Sequence, residues 1–188
     1  MSHAERILTV LDSGLDHAVQ LVIYGRSALA LGFSDPPAAT KVSLDVDAII
    51  PVSMVERMQS DTGFWEAQEN ANRILEPEGL YITHLFQSDQ VFLRRDWESH
   101  LLPILRPETR WLRLFRPATL DLILSKMMRG DDPQDMEDVD FMIRHDRIPV
   151  GLVEEAMRQV VLPDLIELRD AFEIARPRVL GLAKAAGF

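Results

Sequence analysis

Apolar residues recur along this chain in two rhythms, and each rhythm predicts one kind of element. Apolar positions between residues 7 and 15 follow helical spacing and predict an amphipathic helix. The apolar run 20–24 predicts a strand that ends at Gly25, and the Ala/Leu-rich run 27–31 predicts a helix directly after it. We therefore expect a strand, a tight turn and a helix within residues 20–31.

A second strand is expected at residues 42–50, after a Pro-rich loop at 34–41. Its alternation puts Leu44, Val46 and Ala48 on one face, which leaves Ser43, Asp45 and Asp47 on the other. Helices at 54–58 and 64–75 follow. Strands at 80–86 and 91–95 are then expected to pair as a hairpin through residues 87–90.

From Pro117 onward the pattern predicts helices only, at 117–129, 133–145, 150–161 and 163–186. Prolines stand where three of these helices would begin, whereas Pro177 should kink or split the last one. The fold class is therefore α+β, with a small mixed sheet flanked by helices. We expect a core at residues 1–116 and a helical C-terminal part at 117–188 that packs on it.

Composition narrows the classes of function. The chain has 188 residues, no cysteine and a formal net charge of −10. Thiolate metal sites and a catalytic cysteine are excluded, and excess acid argues against a general nucleic-acid-coating protein. The N-terminal segment lacks the basic residues of a secretory leader, and no apolar run approaches the ~20 residues of a membrane helix. A cytoplasmic protein without a membrane partner is expected.

The candidate chemistry centres on Asp45-Val-Asp47 and Gly25-Arg-Ser27. Carboxylates at i and i+2 of a strand project from one face and can hold one divalent cation. A strand–Gly–helix turn exposes backbone N–H groups that can take phosphate oxygens. For an isolated Asp-x-Asp the alternative is a solvated strand face, but the glycine turn one strand earlier favours a metal–nucleotide site.

These residues resemble the nucleotidyltransferase superfamily, in which a strand ends in Gly-Ser or Gly-Gly, a short helix follows, and Asp-x-Asp lies on the next strand. The resemblance covers residues 21–143 and is greatest to the bacterial AbiEii-type or a related uncharacterised branch. In that branch a later helix carries a lysine and an acidic Asp-x-x-Asp helix follows. Here residues 120–129 contain Lys126, and residues 134–139 contain Asp135 and Asp138.

The resemblance implies the minimal nucleotidyltransferase fold and a role for each site residue. Asp45 and Asp47 would hold Mg²⁺, while Gly25, Arg26, Ser27 and Lys126 would bind the nucleotide. Asp45, Asp47, Lys126 and Asp138 would form the catalytic set, and Lys126→Ala should cost activity and spare folding. Arg26 occupies the slot where relatives carry a second Gly or Ser. A third metal carboxylate is replaced on the next strand by His84, so the site would use two aspartates.

The resemblance also implies partners: an NTP as substrate, tRNA or another RNA as acceptor, and a cognate antitoxin protein. A basic stretch could carry the RNA, with tryptophans available for stacking, or it could be an ordinary solvated face. Its members are Arg94, Arg95, Arg106, Arg110, Arg113 and Arg116, with Trp97 and Trp111.

Three classes of function remain open from the sequence. The first is a Mg²⁺-dependent nucleotidyltransferase that acts on an acceptor hydroxyl, in the manner of a toxin-like enzyme. The second is a catalytically inactive nucleotide-binding or partner-binding protein of the same fold. The third is a folded interaction module whose aspartates lie on the surface only.

Overall fold

The computed structural model describes residues 1–188, with the exception of the side chains of Thr83 and His84. The chain forms two compact units. The first comprises Met1–Gln87 and Leu101–Arg116, and the second comprises Ser88–His100 and Pro117–Phe188. Residues 88–100 thus belong to the second unit, and the expected domain boundary between residues 116 and 117 stays a prediction.

The structure contains both helices and short strands, as the sequence predicts. The helices are α1 (His3–Ser13), α2 (Gly25–Gly32), α3 (Val55–Ser60), α4 (Thr62–Leu75), α5 (Thr119–Lys126), α6 (Pro133–Asp146), α7 (Val150–Gln159) and α8 (Ile166–Ala186). The strands are β1 (Val19–Tyr24), β2 (Asp45–Ile50), β3 (Tyr81–Gln87), β4 (Leu93–Arg94), β5 (Leu102–Pro103), β6 (Leu112–Arg116) and β7 (Val160–Val161). In the described part of the chain, no helix combines the length and hydrophobicity needed to cross a membrane.

A five-stranded mixed sheet forms the centre of the first unit, in the order β3-β2-β1-β6-β5. The β1–β2 and β5–β6 pairs are antiparallel, whereas β1–β6 and β2–β3 are parallel. Helices α1, α2 and α4 pack against this sheet and against one another. The predicted α+β class, with a small mixed sheet flanked by helices and a helical C-terminal extension, is confirmed.

The first helix fixes the entry to β6. Its N-terminus is capped by Ser2, whose hydroxyl accepts from the Glu5 N–H while the Glu5 carboxylate accepts from the Ser2 N–H. Near its other end, the Asp12 carboxylate accepts backbone N–H groups from Arg110, Trp111 and Leu112 at 2.8–2.9 Å. The Asp12 side chain of α1 thereby fixes the start of β6, the strand that pairs in parallel with β1.

The expected strand–turn–helix lies at β1 and α2. Ile23 and Ala28 are fully buried, so the strand end and the helix start both belong to the core. Gly25, the first residue of α2, has a φ of +64° that side chains with a Cβ rarely adopt. Ser27 lies in the first turn of the helix. The prediction for residues 20–31 is confirmed.

The predicted hairpin of residues 80–86 and 91–95 is wrong. The first segment forms β3 and pairs in parallel with β2, and the second forms β4 and pairs with β7. Residues 51–80, which contain α3 and α4, provide the long connection that a parallel pair requires. A 3₁₀ turn at Ser88–Gln90 follows β3, without the Asn-Gly or Gly-x residues of a tight hairpin.

Helices α5 to α8 build the second unit, where α6 and α7 both pack on α8, and α5 packs on α6 and α7. The strand β4 joins them through Arg94, which donates from its backbone N–H and its guanidinium to the fully buried Asp121 carboxylate. Helix α8 runs unbroken across Pro177, so the proline does not split it.

We predict that Gly25→Ala lowers the free energy of unfolding by about 1–2 kcal/mol, because a Cβ disfavours the left-handed conformation at this position. Urea denaturation followed by circular dichroism would measure the change. Gly151→Ala is the matched control: Gly151 lies in α7 with open space around it, and the substitution should stabilise by up to about 1 kcal/mol. Equal stabilisation by both substitutions would contradict the assigned turn.

Candidate nucleotide site

Asp45 and Asp47 open strand β2 and project from the same face of it. Both are half-buried, whereas Val46 and Ala48 on the opposite face are fully buried in the core. The hydroxyl of Ser43 donates to Asp45 Oδ1 at 2.9 Å and orients that carboxylate. The predicted faces are therefore confirmed for residues 45–48, whereas Leu44, predicted on the apolar face, precedes the strand and is exposed. Ser43 also precedes the strand and orients Asp45, a role that the sequence did not indicate.

The glycine turn lies directly against this acidic pair. Tyr24 is the cross-strand partner of Asp47, and a Cβ built on Gly25 would lie 3.7 Å from Asp47 Oδ2. Ser27 is buried, and its hydroxyl donates to the Asp45 carbonyl oxygen at 2.8 Å. The Ser27 hydroxyl thus fastens the start of α2 to the start of β2. The groups that α2 offers to phosphate are its backbone N–H groups.

The donor set at Asp45 and Asp47 fits Mg²⁺. This ion is commonly held by one or two carboxylates together with waters and substrate phosphates. Among the side chains that the structure describes, no three His, Asp or Glu residues gather into a metal-binding group. His84, which occupies the expected slot of a third ligand, has a side chain outside the described residues. A two-carboxylate site completed by phosphate oxygens is the arrangement that these residues can support.

Tyr24 borders the same site. Burial raises the pKa of its hydroxyl, and the negative charges of Asp47 and Asp45 raise it further. The hydroxyl therefore stays protonated at physiological pH and can donate a hydrogen bond. The ring packs edge-on against Phe86 of β3, with centroids 5.7 Å apart.

Lys126 occupies a buried ionic cluster in the second unit. Its Nζ lies 2.6 Å from Asp138 Oδ2 and 2.9 Å from Asp135 Oδ1, and all three residues are at least 94% buried. The short Gly130-Asp-Asp-Pro133 connection predicts two helices side by side with Lys126 and Asp138 in contact, and the structure confirms this contact. Lys126 is thus a buried lysine and does not extend into solvent.

Asp135 lies in the first turn of α6 and takes part in this cluster through two cations. It also accepts from Arg129 Nε at 2.7 Å, and its own N–H donates to the capping carboxylate of Asp132. Burial alone would raise the pKa of Asp135, but the hydrogen bond from Arg129 and the charge of Lys126 outweigh it and lower the pKa. Arg129 follows Lys126 by three residues, a spacing that places neighbouring side chains on one face of a helix. This spacing was the sequence signal that Arg129 could contact Asp135 as well.

The predicted site residues thus form two sets. Gly25, the partly buried Arg26, Ser27 and the two aspartates of β2 lie in the first unit, and Lys126 and Asp138 lie in the second. Within each set the structure brings the residues together. That both sets serve one nucleotide stays a prediction.

The arginines of the basic stretch differ in their surroundings. Arg94 is committed to Asp121, Arg116 is buried with its guanidinium 4.2 Å from the ring centre of Phe33, and Trp97 is buried. Gly32 leaves room for Arg116, since a Cβ there would lie 2.4 Å from Arg116 Cδ. The exposed members that could contact an acceptor are Arg95, Arg106, Arg110 and Arg113.

We predict that Lys126→Ala lowers the free energy of unfolding by about 3–5 kcal/mol, because it removes the ammonium that two buried carboxylates share. This replaces the sequence-based expectation that the substitution spares folding. Arg144→Ala is the control: this exposed arginine pairs with Asp140 one helical turn away, so its loss should cost at most about 1 kcal/mol. Chemical denaturation of both variants tests the difference, and similar small losses would contradict the prediction.

The lowered pKa of Asp135 predicts a pH dependence. Because the folded-state pKa lies below the ordinary value of about 4, the stabilisation is complete above that pH and is lost as the pH falls through the folded pKa. The gap in unfolding free energy between the wild-type protein and Asp135→Asn should therefore shrink below about pH 4. Denaturation series at pH 7 and pH 3 measure it, and a constant gap would rule the linkage out.

Comparison with known proteins gives one family. A family model described as a nucleotidyltransferase of unknown function, DUF6036, matches residues 4–170, which include every predicted site residue. No curated protein and no solved structure matches the chain significantly. The match supports the nucleotidyltransferase superfamily and leaves the AbiEii-type branch as a prediction. Since the matched residues are most of the chain, this protein belongs to the DUF6036 family of nucleotidyltransferases of unknown function.

Proposed function

We propose that this protein is a Mg²⁺-dependent nucleotidyltransferase that moves a nucleoside monophosphate from an NTP to an acceptor hydroxyl. The observation that carries the proposal is the position of Asp45 and Asp47, on one face of β2 and against the Gly25 turn. A pair of carboxylates beside the N-terminus of a helix combines ligands for a cation with donors for phosphate. Membership of the family supports the same activity.

Each residue has a distinct task in this proposal. Asp45 and Asp47 hold the metal, and Ser43 keeps the Asp45 carboxylate in one orientation. The first N–H groups of α2 and the Arg26 side chain receive the outer phosphates. Lys126 neutralises charge on the nucleotide, and Asp138 orients its ammonium. When bound, Mg²⁺ supplies charge neutralisation and a template for phosphate geometry.

The transfer is an in-line substitution at the α-phosphorus. The acceptor hydroxyl oxygen forms a new bond to this phosphorus, and the bond from phosphorus to the oxygen that bridges to the β-phosphate breaks. Pyrophosphate leaves with the electron pair of that bond, and the hydroxyl proton passes to solvent. Most of the acceleration in such a reaction comes from positioning and from electrostatic stabilisation of the phosphates.

The finer proposal is a cytoplasmic, AbiEii-like toxin enzyme whose acceptor is tRNA or another RNA and whose partner is a cognate antitoxin protein. The sequence resemblance supports it, and the exposed arginines of the basic stretch provide positive charge for RNA phosphates. Incubation of the protein with labelled NTPs, Mg²⁺ and total RNA would identify the acceptor.

A second candidate is a nucleotide-binding or partner-binding protein of the same fold without catalysis. Two observations favour it: Arg26 stands in the slot of a second Gly or Ser, and the described side chains form no three-carboxylate metal group. Such a protein would bind Mg²⁺ and NTP without transferring label. Binding and transfer must therefore be measured separately.

We predict that Asp45→Asn and Asp47→Asn each weaken Mg²⁺-dependent NTP binding at least about tenfold and reduce transfer by about 100-fold or more, because each removes a metal ligand. The free energy of unfolding should change by less than about 1 kcal/mol, since both carboxylates lie on the half-exposed face of β2. Calorimetric titration with and without Mg²⁺ and a labelled-NTP transfer assay provide the measurements.

Glu66→Gln is a suitable control for these variants. Glu66 is an exposed carboxylate of α4, so its neutralisation changes the net charge by the same amount without touching the proposed site. Its binding and transfer should equal those of the wild-type protein. Wild-type binding and transfer in both aspartate variants would overturn the proposed function.

A further inference from the structure

Both tyrosines of this chain are in-register neighbours of the two site aspartates. Tyr24 on β1 lies opposite Asp47, and Tyr81 on β3 lies beside Asp45. Partners in register across neighbouring strands project from the same face of a sheet. The four side chains therefore form one continuous patch on three adjacent strands, in which the two carboxylates stand between two aromatic rings.

The Tyr24 hydroxyl can donate a hydrogen bond to a ligand. No described residue forms a hydrogen bond with it, and the residue lies opposite Asp47 across the strand pair. The edge-on packing against Phe86 holds the ring at the strand end, next to the Gly25 turn. A buried or half-buried hydroxyl normally finds a partner, so a ligand with acceptor oxygens fits this position.

Tyr81 presents a different surface. It lies on β3, the edge strand of the sheet, and the residue is 38% exposed. No described side chain makes a ring contact or a hydrogen bond with its phenol. Its ring is therefore available as a flat apolar surface beside Asp45, the first of the two carboxylates of the proposed metal site.

We infer that the two tyrosines bind opposite ends of the nucleotide: the Tyr24 hydroxyl donates to a phosphate oxygen, and the Tyr81 ring stacks on the base. The inference deepens the proposed function and rests on it. Adjacent strands are about 4.8 Å apart, so a nucleotide whose phosphates lie at Asp45 and Asp47 has Tyr81 within reach of its base. Stacking uses the π-face that every base has, so the site accepts all four nucleotides with similar affinity.

The test separates the two tyrosines with two classes of probe. The probes are Mg²⁺ complexes of non-hydrolysable ATP, GTP, CTP and UTP analogues, and inorganic tripolyphosphate, which has no base. Tyr81→Ala should weaken all four nucleotides by a similar factor of about 10 and leave tripolyphosphate unchanged. Tyr24→Phe should weaken both classes about tenfold, because it removes one hydrogen bond to a charged acceptor and keeps the ring.

Tyr81→Phe is the matched control, since it retains the ring and should retain nucleotide affinity. Circular dichroism verifies that each variant is folded. If the wild-type protein binds Mg²⁺-NTP and both tyrosine variants bind it equally well, the inference fails and the proposed function stands. A change for one nucleotide only, at Tyr81→Ala, would also overturn base stacking of the kind proposed. Absence of NTP binding by the wild-type protein would overturn both proposals.

Discussion

The candidate site depends on the register between β1 and β2. This pairing sets Tyr24 opposite Asp47 and thereby brings the Gly25 turn to the acidic pair. A slip of one residue would turn Asp45 and Asp47 toward the core face and expose Val46 and Ala48, so burial of those two residues enforces the register. The Ser27 hydroxyl adds a direct bond between the helix start and the Asp45 carbonyl oxygen. The metal ligands and the phosphate donors are thus held in place by the same few contacts.

The second unit keeps an unusual amount of charge in its interior. The Lys126 cluster and the Arg94–Asp121 pair both bury ionised groups, and desolvation offsets much of their attraction. Apolar replacements of similar volume could therefore match their stability. What charged groups add is orientation, because the Lys126 ammonium has donors directed to two separate carboxylates. In the second unit this orientation fixes how α5 and α6 pack, and a role for the lysine toward a nucleotide stays a prediction.

Local patterns in the sequence were sufficient for the helices, for β1 to β4 and for the polar positions Asp45 and Asp47 of β2, but not for the short strands β5, β6 and β7, the last of which lies where a helix was predicted. The apolar run before Gly25 and the Ala/Leu run after it predict the turn, and the alternation around Asp45 predicts its face. Partners at long range were not predictable in this way. A period of two identifies β3 and β4 as strands without naming their neighbours, so the predicted hairpin failed. The place of Tyr81 beside Asp45 depends on that same long-range pairing.

The interleaving of the two units has a consequence for synthesis of the chain. The chain leaves the first unit after Gln87 and returns to it at Leu101, and β6 then inserts between β1 and β5. Residues 112–116 must therefore be synthesised before the five-stranded sheet can be completed. Strand β4 can pair only after β7, some 65 residues later, has been synthesised. Exposed strand edges persist during this interval and invite pairing with other chains. Until β6 has been synthesised, the edge of β1 that β6 later occupies is open to such mispairing.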